Sequence, residues 1–194
     1  MVLHQPVKKH VFKVRATYQR EAEKVIAHLA SMSIARVALV CPDDSFGTDG
    51  LASAKKGLTA AKLMPVATEK FDRAKPDFSP LALRIHQANA LAVVMVATAQ
   101  AVGEGVKALR AAGSTAQIVT MSNNASSGFV KILGDNARGM SVTQVFPSER
   151  SINYAMVREA QELLKASSKV PPELSRKKIP TALEGMRKFD LGGL

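Results

Sequence analysis

At 194 residues, of which 46% are hydrophobic and 22% charged, the chain is long enough for one ordinary globular core. No segment approaches the roughly 18 uninterrupted apolar residues that a membrane-spanning helix needs, and the N-terminal segment lacks the apolar core of a signal peptide. We therefore expect the chain as written to carry no export signal. Its single cysteine, Cys41, excludes an internal disulfide and a zinc site built from thiolates.

The formal net charge of +11 at pH 7 comes mainly from the two ends of the chain. Six basic residues lie within positions 8–24 and five within 176–188, whereas the middle is nearly balanced. Aromatic residues make up only 5% of the chain and tryptophan is absent, which argues against the stacking surfaces of nucleic-acid-binding proteins. We interpret the charge as a solvated basic surface and expect no nucleic-acid partner.

Short apolar runs alternate with amphipathic segments along the chain. Residues 18–32 carry apolar side chains at helical spacing, and residues 36–41 form a continuous apolar run, as in a strand covered on both faces. Thr48 or Asp49 can cap the next helix. The second strand, over about 63–71, opens on a proline, which favours an edge position.

The alternation continues to residue 168, and it indicates the fold class. The remaining predicted elements are helix 76–89, strand 90–97, helix 101–113 with Gly113 as a left-handed cap, strand 116–121, helix 126–134, strand 139–146 and helix 152–168. This pattern predicts an α/β fold with a doubly wound, mostly parallel five-stranded sheet in flavodoxin-like order. We expect one ligand-binding lobe over residues 1–168. The proline- and lysine-rich start of 169–194 predicts a linker and C-terminal tail.

Ligands of such sheets bind beyond the carboxyl ends of the strands. Hydrogen-bonding and packing groups follow the predicted strands at these places: Ser45, Phe46, Thr98, Gln100, Ser122, Asn123 and Asn124. Hydroxyls, amides and one aromatic ring suit recognition of a small polar or zwitterionic ligand without turnover. A helix that begins near Thr48 would point N–H groups toward the same rim, which favours a carboxylate.

Catalytic and cofactor motifs are missing from the sequence. Asp43 and Asp44 resemble the acidic pair of a phosphoacceptor receiver domain, but the third predicted strand ends in MVATAQ and supplies no further aspartate. The glycine motifs of nucleotide-binding loops and the G-x-S-x-G elbow are absent, and the four histidines are scattered. We therefore expect no enzyme activity, no cofactor and no metal site. A small-molecule sensor domain remains an alternative, as does a receiver-like or nucleotide-binding enzyme domain.

Several motifs, in order, resemble one protein family. HVFKVRATYQREAEKVIAHLASMSIARVALVCPDDSFGTDGL contains an F-x-x-R-x-[ST] segment followed by a D-D-x-[FY]-G loop. Together with ALAVVMVATAQAVGEGVKALRAAG, ARGMSVTQVFPSE and the terminal FDLGGL, it resembles the second lobe of periplasmic solute-binding proteins of the leucine/isoleucine/valine-binding (type I, ABC transporter) family. The similarity runs from about residue 10 to 165 and resumes over the last twenty residues.

The resemblance implies a ligand-binding role for particular residues. By position, Phe46 matches an aromatic residue that packs on the ligand, and Ala99 or its neighbour Thr98 matches a second aromatic site. Ser122 matches the acidic residue that binds the ammonium group of branched-chain amino acids, and Tyr18 lies near the inter-lobe crossing. Because Ala99 and Ser122 depart from the family pattern, aromatic or other organic acids are expected as ligands alongside amino acids.

The resemblance also implies a two-lobed architecture, a cellular location and protein partners. Family members have two lobes that close on the ligand, and this chain matches only the second lobe. We expect a periplasmic location for the family, membrane subunits of an ABC transporter as partners of the full-length form, weak ligand binding by half a cleft, and self-association through the exposed inter-lobe face.

Overall fold

The computed structural model describes residues 16–147 and 151–167. Along this part of the chain the elements are α1 (Tyr18–Ser31), β1 (Val37–Pro42), α2 (Ser45–Ala60), β2 (Ala67–Phe71), α3 (Ser79–Gln87), β3 (Ala92–Met95), α4 (Ala99–Ala111), β4 (Gln117–Thr120), a 3-10 turn (Ser122–Asn124), α5 (Ser127–Leu133), a second 3-10 turn (Gly134–Ala137), β5 (Met140–Val142) and α6 (Ala155–Ser167). The five strands form one parallel sheet in the order β2-β1-β3-β4-β5. The predicted α/β class and flavodoxin-like order are confirmed.

Apolar residues cover both faces of this sheet, which explains the uninterrupted apolar runs in the sequence. All residues of β1 and β3 are buried. Along β1, Val37, Leu39 and Cys41 join a cluster with α1 and α2, while Ala38 and Val40 join a cluster on the opposite face with α3, α4 and α5. Successive side chains of a strand point to opposite faces of the sheet, and here both faces are covered by apolar layers. Every position of such a strand is therefore apolar.

The start of α2 differs from the prediction. The helix begins at Ser45 because the side chain of Asp44 caps it, with Oδ1 accepting from the Gly47 N–H at 2.9 Å. The predicted cap at Thr48 or Asp49 is therefore wrong, and the Thr48 hydroxyl instead donates to the Asp44 carbonyl at 2.8 Å. Glycines lower the helix propensity of this segment, but close packing against Pro42 of β1 and against Val96, the residue after β3, outweighs that preference.

Four of the five strands, β2, β3, β4 and β5, are shorter than predicted. Strand β5 stops at Val142 rather than continuing to residue 146, although the Thr143 N–H still donates to the Thr120 carbonyl at 3.0 Å. Strand β2 begins at Ala67, two residues after Pro65, and it lies at the edge of the sheet as predicted. Gly113 follows α4 with a φ of 81°, which confirms the predicted left-handed cap.

Arg110 joins the end of α4 to the start of β4 and to the turn before β5. Its Nη1 donates to the carbonyls of Ser114 at 2.8 Å and Ala116 at 2.9 Å, and its Nη2 donates to the Arg138 carbonyl at 3.1 Å. Partial burial lowers the pKa of the Arg110 guanidinium from its ordinary value. The turn from Arg110 to Gly113 thus has a structural function in fixing neighbouring strands.

The last described element is α6, so the predicted boundary after residue 168 and the tail 169–194 lie outside the described residues. Residues 1–15 of the predicted lobe lie outside them as well. In α6 the side chains of Met156 and Leu163 are exposed. None of the helices in the described ranges is long and apolar enough to cross a bilayer.

Candidate ligand-binding site

The loops that follow β1, β3 and β4 lie side by side, because these strands are neighbours in a parallel sheet. Seven residues are the predicted ligand contacts: Phe46, Thr98, Ala99, Ser122, Asn123, Tyr18 and Ser45. Six of them belong to these loops or to the helix starts directly after them. The seventh, Tyr18, is the first residue of α1. The sheet topology therefore places all seven at its carboxyl edge.

Tyr18 and Phe46 form an aromatic pair at this edge. Their ring centroids are 5.5 Å apart and the rings are nearly perpendicular, at 89°. Both rings are partly buried against the apolar cluster of α1 and α2, so each keeps an accessible portion. Ser45, the residue before Phe46, is exposed as the first residue of α2.

Two ion pairs connect the loop after β1 to the edge strand β2 and the loop that follows it. Asp44 Oδ2 lies 2.6 Å from Arg73 Nη2, and Asp43 Oδ1 lies 2.7 Å from Lys70 Nζ. The hydrogen bond to Asp43 raises the pKa of the Lys70 ammonium group. Arg73 also lies over the Phe46 ring, with Cζ 5.7 Å from the centroid. The acidic pair considered for receiver chemistry thus caps a helix and pairs with two cations.

Thr98 and Ala99 form the start of α4. Thr98 is the N-cap residue, but its side chain makes no capping hydrogen bond, and it is exposed. It lines a cavity of about 120 Å³ together with Pro42, Phe71, Arg73, Pro76, Gln100, Ala101 and Glu104. Ala99 packs against the apolar cluster beneath α4. Its side chain is a single methyl group, so it offers little contact area at the carboxyl edge of the sheet.

Ser122 is hydrogen-bonded to a carboxylate that the sequence did not identify as part of the site. Glu21 Oε2 accepts from the Ser122 N–H at 3.0 Å and from its hydroxyl at 2.7 Å. The same oxygen accepts from the Thr143 hydroxyl at 2.6 Å. Glu21 belongs to α1 and is only 5% exposed. One side chain therefore joins α1 to the carboxyl ends of both β4 and β5.

The two asparagines after Ser122 have different environments. Asn123 is exposed, and its Nδ2 donates to the Ala97 carbonyl at 3.1 Å and to Asn124 Oδ1 at 2.9 Å. Asn124 is buried, and its Nδ2 donates to the Ala97 carbonyl at 3.1 Å and to the Thr120 hydroxyl at 2.8 Å. These bonds fix the loop after β4 against the loop after β3, directly beside Thr98.

The predicted residues fall into two groups along the edge. In the first group, Tyr18 and Phe46 are in direct contact. In the second group, Asn123 is hydrogen-bonded to Ala97, the residue before Thr98. The cavity of about 120 Å³ is lined by Thr98 but by none of the other six. A larger groove of about 620 Å³, between α1 and the strands β4 and β5, is lined by Glu21 and by none of the seven.

Within the described residues, no group of three or more histidine, cysteine, aspartate or glutamate side chains could hold a metal ion. Cys41 is 1% exposed near the end of β1. Burial raises the pKa of its thiol, which disfavours the reactive thiolate. The arrangement offers rings, hydroxyls, amides and one guanidinium, which are groups that hold a small molecule.

Sequence reasoning missed Glu21 and Arg73, and only Glu21 had a usable signal. Glu21 lies four residues before Val25 and eight before Leu29, so helical spacing places its carboxylate on the buried face of α1. A buried carboxylate requires hydrogen-bond partners, and the nearest strand ends supply them. Arg73 lies in an irregular loop, where neither period nor motif predicts the direction of a side chain.

The chain is similar in sequence and structure to known proteins. A sequence profile described as periplasmic binding protein matches residues 4–179. A substrate-binding periplasmic protein from Ralstonia solanacearum is 25% identical, with a TM-score of 0.69 over 84% of this chain and 46% of that one. An extracellular ligand-binding receptor from Verminephrobacter eiseniae is 23% identical, with a TM-score of 0.71 over 95% of this chain and 51% of that one.

A third solved structure is described as a possible leucine/isoleucine/valine-binding protein from Rhodopirellula baltica. It is 22% identical, with a TM-score of 0.67 over 83% of this chain and 46% of that one. The chain therefore spans about half the length of these three structures. No curated protein sequence matches the chain.

Proposed function

This chain belongs to the periplasmic binding protein family, and we propose that it is the ligand-binding second lobe of the solute-binding component of an ABC uptake system. The predicted resemblance to that family is confirmed by the sequence profile and by the solved structures. Proteins of this family bind small molecules outside the cytoplasm and work with ABC transporter components. We propose the same location and the same class of membrane partners for the full-length form of this protein.

The proposed ligand is a small amino acid or an organic acid, including aromatic acids. The observation that carries this proposal is the Tyr18–Phe46 aromatic pair at the carboxyl edge of the sheet, with the exposed Thr98 hydroxyl on the neighbouring loop. Partly exposed rings supply apolar contact area, while hydroxyl and amide groups fix the orientation of a polar ligand. The proposed contacts are Phe46, Tyr18, Ser45, Thr98, Ala99, Ser122 and Asn123.

Glu21 supplies the negative charge that the position of Ser122 lacks. Its Oε2 accepts bonds from the backbone and the hydroxyl of Ser122, so a carboxylate lies directly behind that residue. In the proposed site Ser122 presents a hydroxyl oriented by Glu21, and the field of the carboxylate favours a ligand ammonium group nearby. Amino acids therefore remain candidates despite the serine at this position.

Ligand-observed NMR with a panel of amino acids and aromatic acids tests the proposed function. We expect weak binding, with dissociation constants of roughly millimolar, because one lobe contacts only part of a ligand that closure would bury between two. Phe46→Leu keeps most of the apolar volume but removes the ring, and it should weaken binding several-fold. Met64→Ala is the matched control and should bind as the wild type does. Met64 is 78% exposed and lies just before β2, so it is at the opposite edge of the sheet.

Three results would contradict this proposal. Tight stoichiometric binding by the isolated chain would show that half a cleft is a complete site, against the argument from closure. Binding that is equally sensitive to Met64→Ala and Phe46→Leu would place the ligand away from the carboxyl edge. A ligand turned over into a product during the titration would instead favour an enzyme.

Self-association of the isolated chain is a further proposal, since the chain spans about half the length of the similar solved structures. A lobe without its partner exposes the face that would meet it, and exposed apolar surface favours dimers. Size-exclusion chromatography with light scattering should therefore show a mass that rises with concentration above that of a 20.7 kDa monomer. A constant monomer mass at the highest soluble concentration would contradict this expectation.

A further inference from the structure

We propose that Arg73 binds a carboxylate group of the ligand at a separate subsite, between the end of β2 and the start of α4. This inference rests on the proposed function, because it assigns one end of the same ligand. It deepens that proposal by adding a residue that no sequence pattern identified. It also gives a direction to the ligand, with its apolar part toward Phe46 and a carboxylate toward Arg73.

The surroundings of Arg73 hold its guanidinium in place without occupying all of its donors. Asp44 Oδ2 lies 2.6 Å from Nη2, and the other oxygen of Asp44 is held by the Gly47 N–H. The guanidinium also lies over the Phe46 ring, 5.7 Å from its centroid. An arginine has five N–H donors in a planar fork, and among the described residues Asp44 is its one anionic contact. The outward N–H groups can therefore pair with an incoming carboxylate.

The cavity beside Arg73 has room for such a group. Its volume is about 120 Å³, enough for a carboxylate with a short stem but not for a large ring system. Thr98 lines the same cavity, and within the described residues its hydroxyl has no hydrogen-bond partner. Because Thr98 is also the N-cap of α4, the first N–H groups of a 13-residue helix lie next to the cavity and favour a negative charge.

Glu104 limits the charge that this subsite accepts. It lines the cavity one turn into α4, and its Oε1 accepts from Gln100 Nε2 at 2.6 Å. A second carboxylate near the bound group disfavours further negative charge. The subsite therefore suits a single carboxylate, and a dianion such as phosphate should bind there less well.

The ion pair of Arg73 contributes little to folding, which makes the subsite testable. The side chains of Arg73 and Asp44 are 51% and 33% exposed, and exposed pairs have small effects on stability. Lys70 and Asp43 form a comparable pair on the same rim, and neither of them lines the cavity. Lys70→Gln is therefore the matched control for Arg73→Gln.

The experiment is a ¹H–¹⁵N NMR titration of the full chain with acetate and benzoate, using acetamide and benzamide as neutral probes. The acids should shift the Arg73 Nε–H and Thr98 amide signals saturably, and the amides should not. Arg73→Gln should weaken binding of the acids roughly tenfold, because a charge-assisted hydrogen bond is lost. Asp44→Asn keeps the helix cap but removes the competing carboxylate, so it should tighten binding about threefold. Lys70→Gln should change nothing.

The contrary outcomes distinguish failure of the Arg73 subsite from failure of the proposed function. Acids that shift the Phe46 and Ser122 amides in the wild type but bind equally well to Arg73→Gln would overturn the subsite and leave the proposed function intact. Equal shifts from acids and their neutral amides would overturn it as well. No response of any signal at the carboxyl edge would overturn both the subsite and the proposed function.

Discussion

Replacing Glu21 with alanine is expected to lower the free energy of unfolding by roughly 3 kcal/mol, since three hydrogen bonds to a buried carboxylate are lost together. The bonds come from the Ser122 N–H, the Ser122 hydroxyl and the Thr143 hydroxyl, at 3.0, 2.7 and 2.6 Å. Without their acceptor, these partly buried donors need another hydrogen-bond partner. Glu21→Gln keeps one oxygen acceptor and should cost about half as much.

Urea unfolding followed by circular dichroism measures this difference. Glu23→Ala is the matched control, because Glu23 lies on the same helix and pairs at 2.9 Å with Lys56, and their side chains are 35% and 75% exposed. Its loss should cost less than about 1 kcal/mol. Equal destabilisation by the two substitutions would contradict a special function of Glu21 in joining α1 to the ends of β4 and β5.

Gly47→Ala is expected to destabilise the chain by about 3 kcal/mol or more, because a side chain at this position overlaps the backbone of β1. A Cβ atom there would lie 1.8 Å from the carbonyl oxygen of Pro42, and backbone cannot rotate away as a side chain can. The Gly47 N–H also donates to the capping oxygen of Asp44. Moving this turn would displace Phe46 and the Asp44–Arg73 pair, so ligand binding should fall as well.

A second glycine provides the control for this prediction. Gly128 also lies in the first turn of a helix, and the nearest atom to an added Cβ there is 3.9 Å away. Gly128→Ala should be neutral or stabilising by roughly 0.5–1 kcal/mol, since alanine favours the helix. The melting temperatures of the two variants, measured side by side, test the prediction. A stable Gly47→Ala variant would show that α2 does not pack so closely on the end of β1.

The buried layers of the fold were predictable from the sequence because they depend on a simple rule. Strands β1 and β3 are covered on both faces, so every position in them must be apolar, and the runs at 36–41 and 90–97 showed this directly. The edge position of β2 followed from Pro65, and the end of α4 followed from Gly113. These signals are local and each has a steric or hydrophobic cause.

The start of α2 and the details of the site were not predictable in the same way. Glycines at 47 and 50 favour a loop in the sequence. In the structure they lie in α2, where the absence of a side chain lets the helix approach Pro42 and Val96 closely. The partners of Ser122 and Arg73 come from elements that are 101 and 29 residues away along the chain. Such contacts depend on tertiary packing, which periodicity and capping rules do not contain.

Mapping of amide chemical shifts shows whether the carboxyl edge of the sheet holds a small molecule, as we propose. A full assignment of the ¹H–¹⁵N spectrum, followed by titration with the tightest-binding ligand of the panel, gives the position of the ligand residue by residue. We predict that the shifted amides cluster around Phe46, Thr98 and Ser122. Shifts confined to the opposite edge, around Ile34, Met64 and Leu91, would contradict the account.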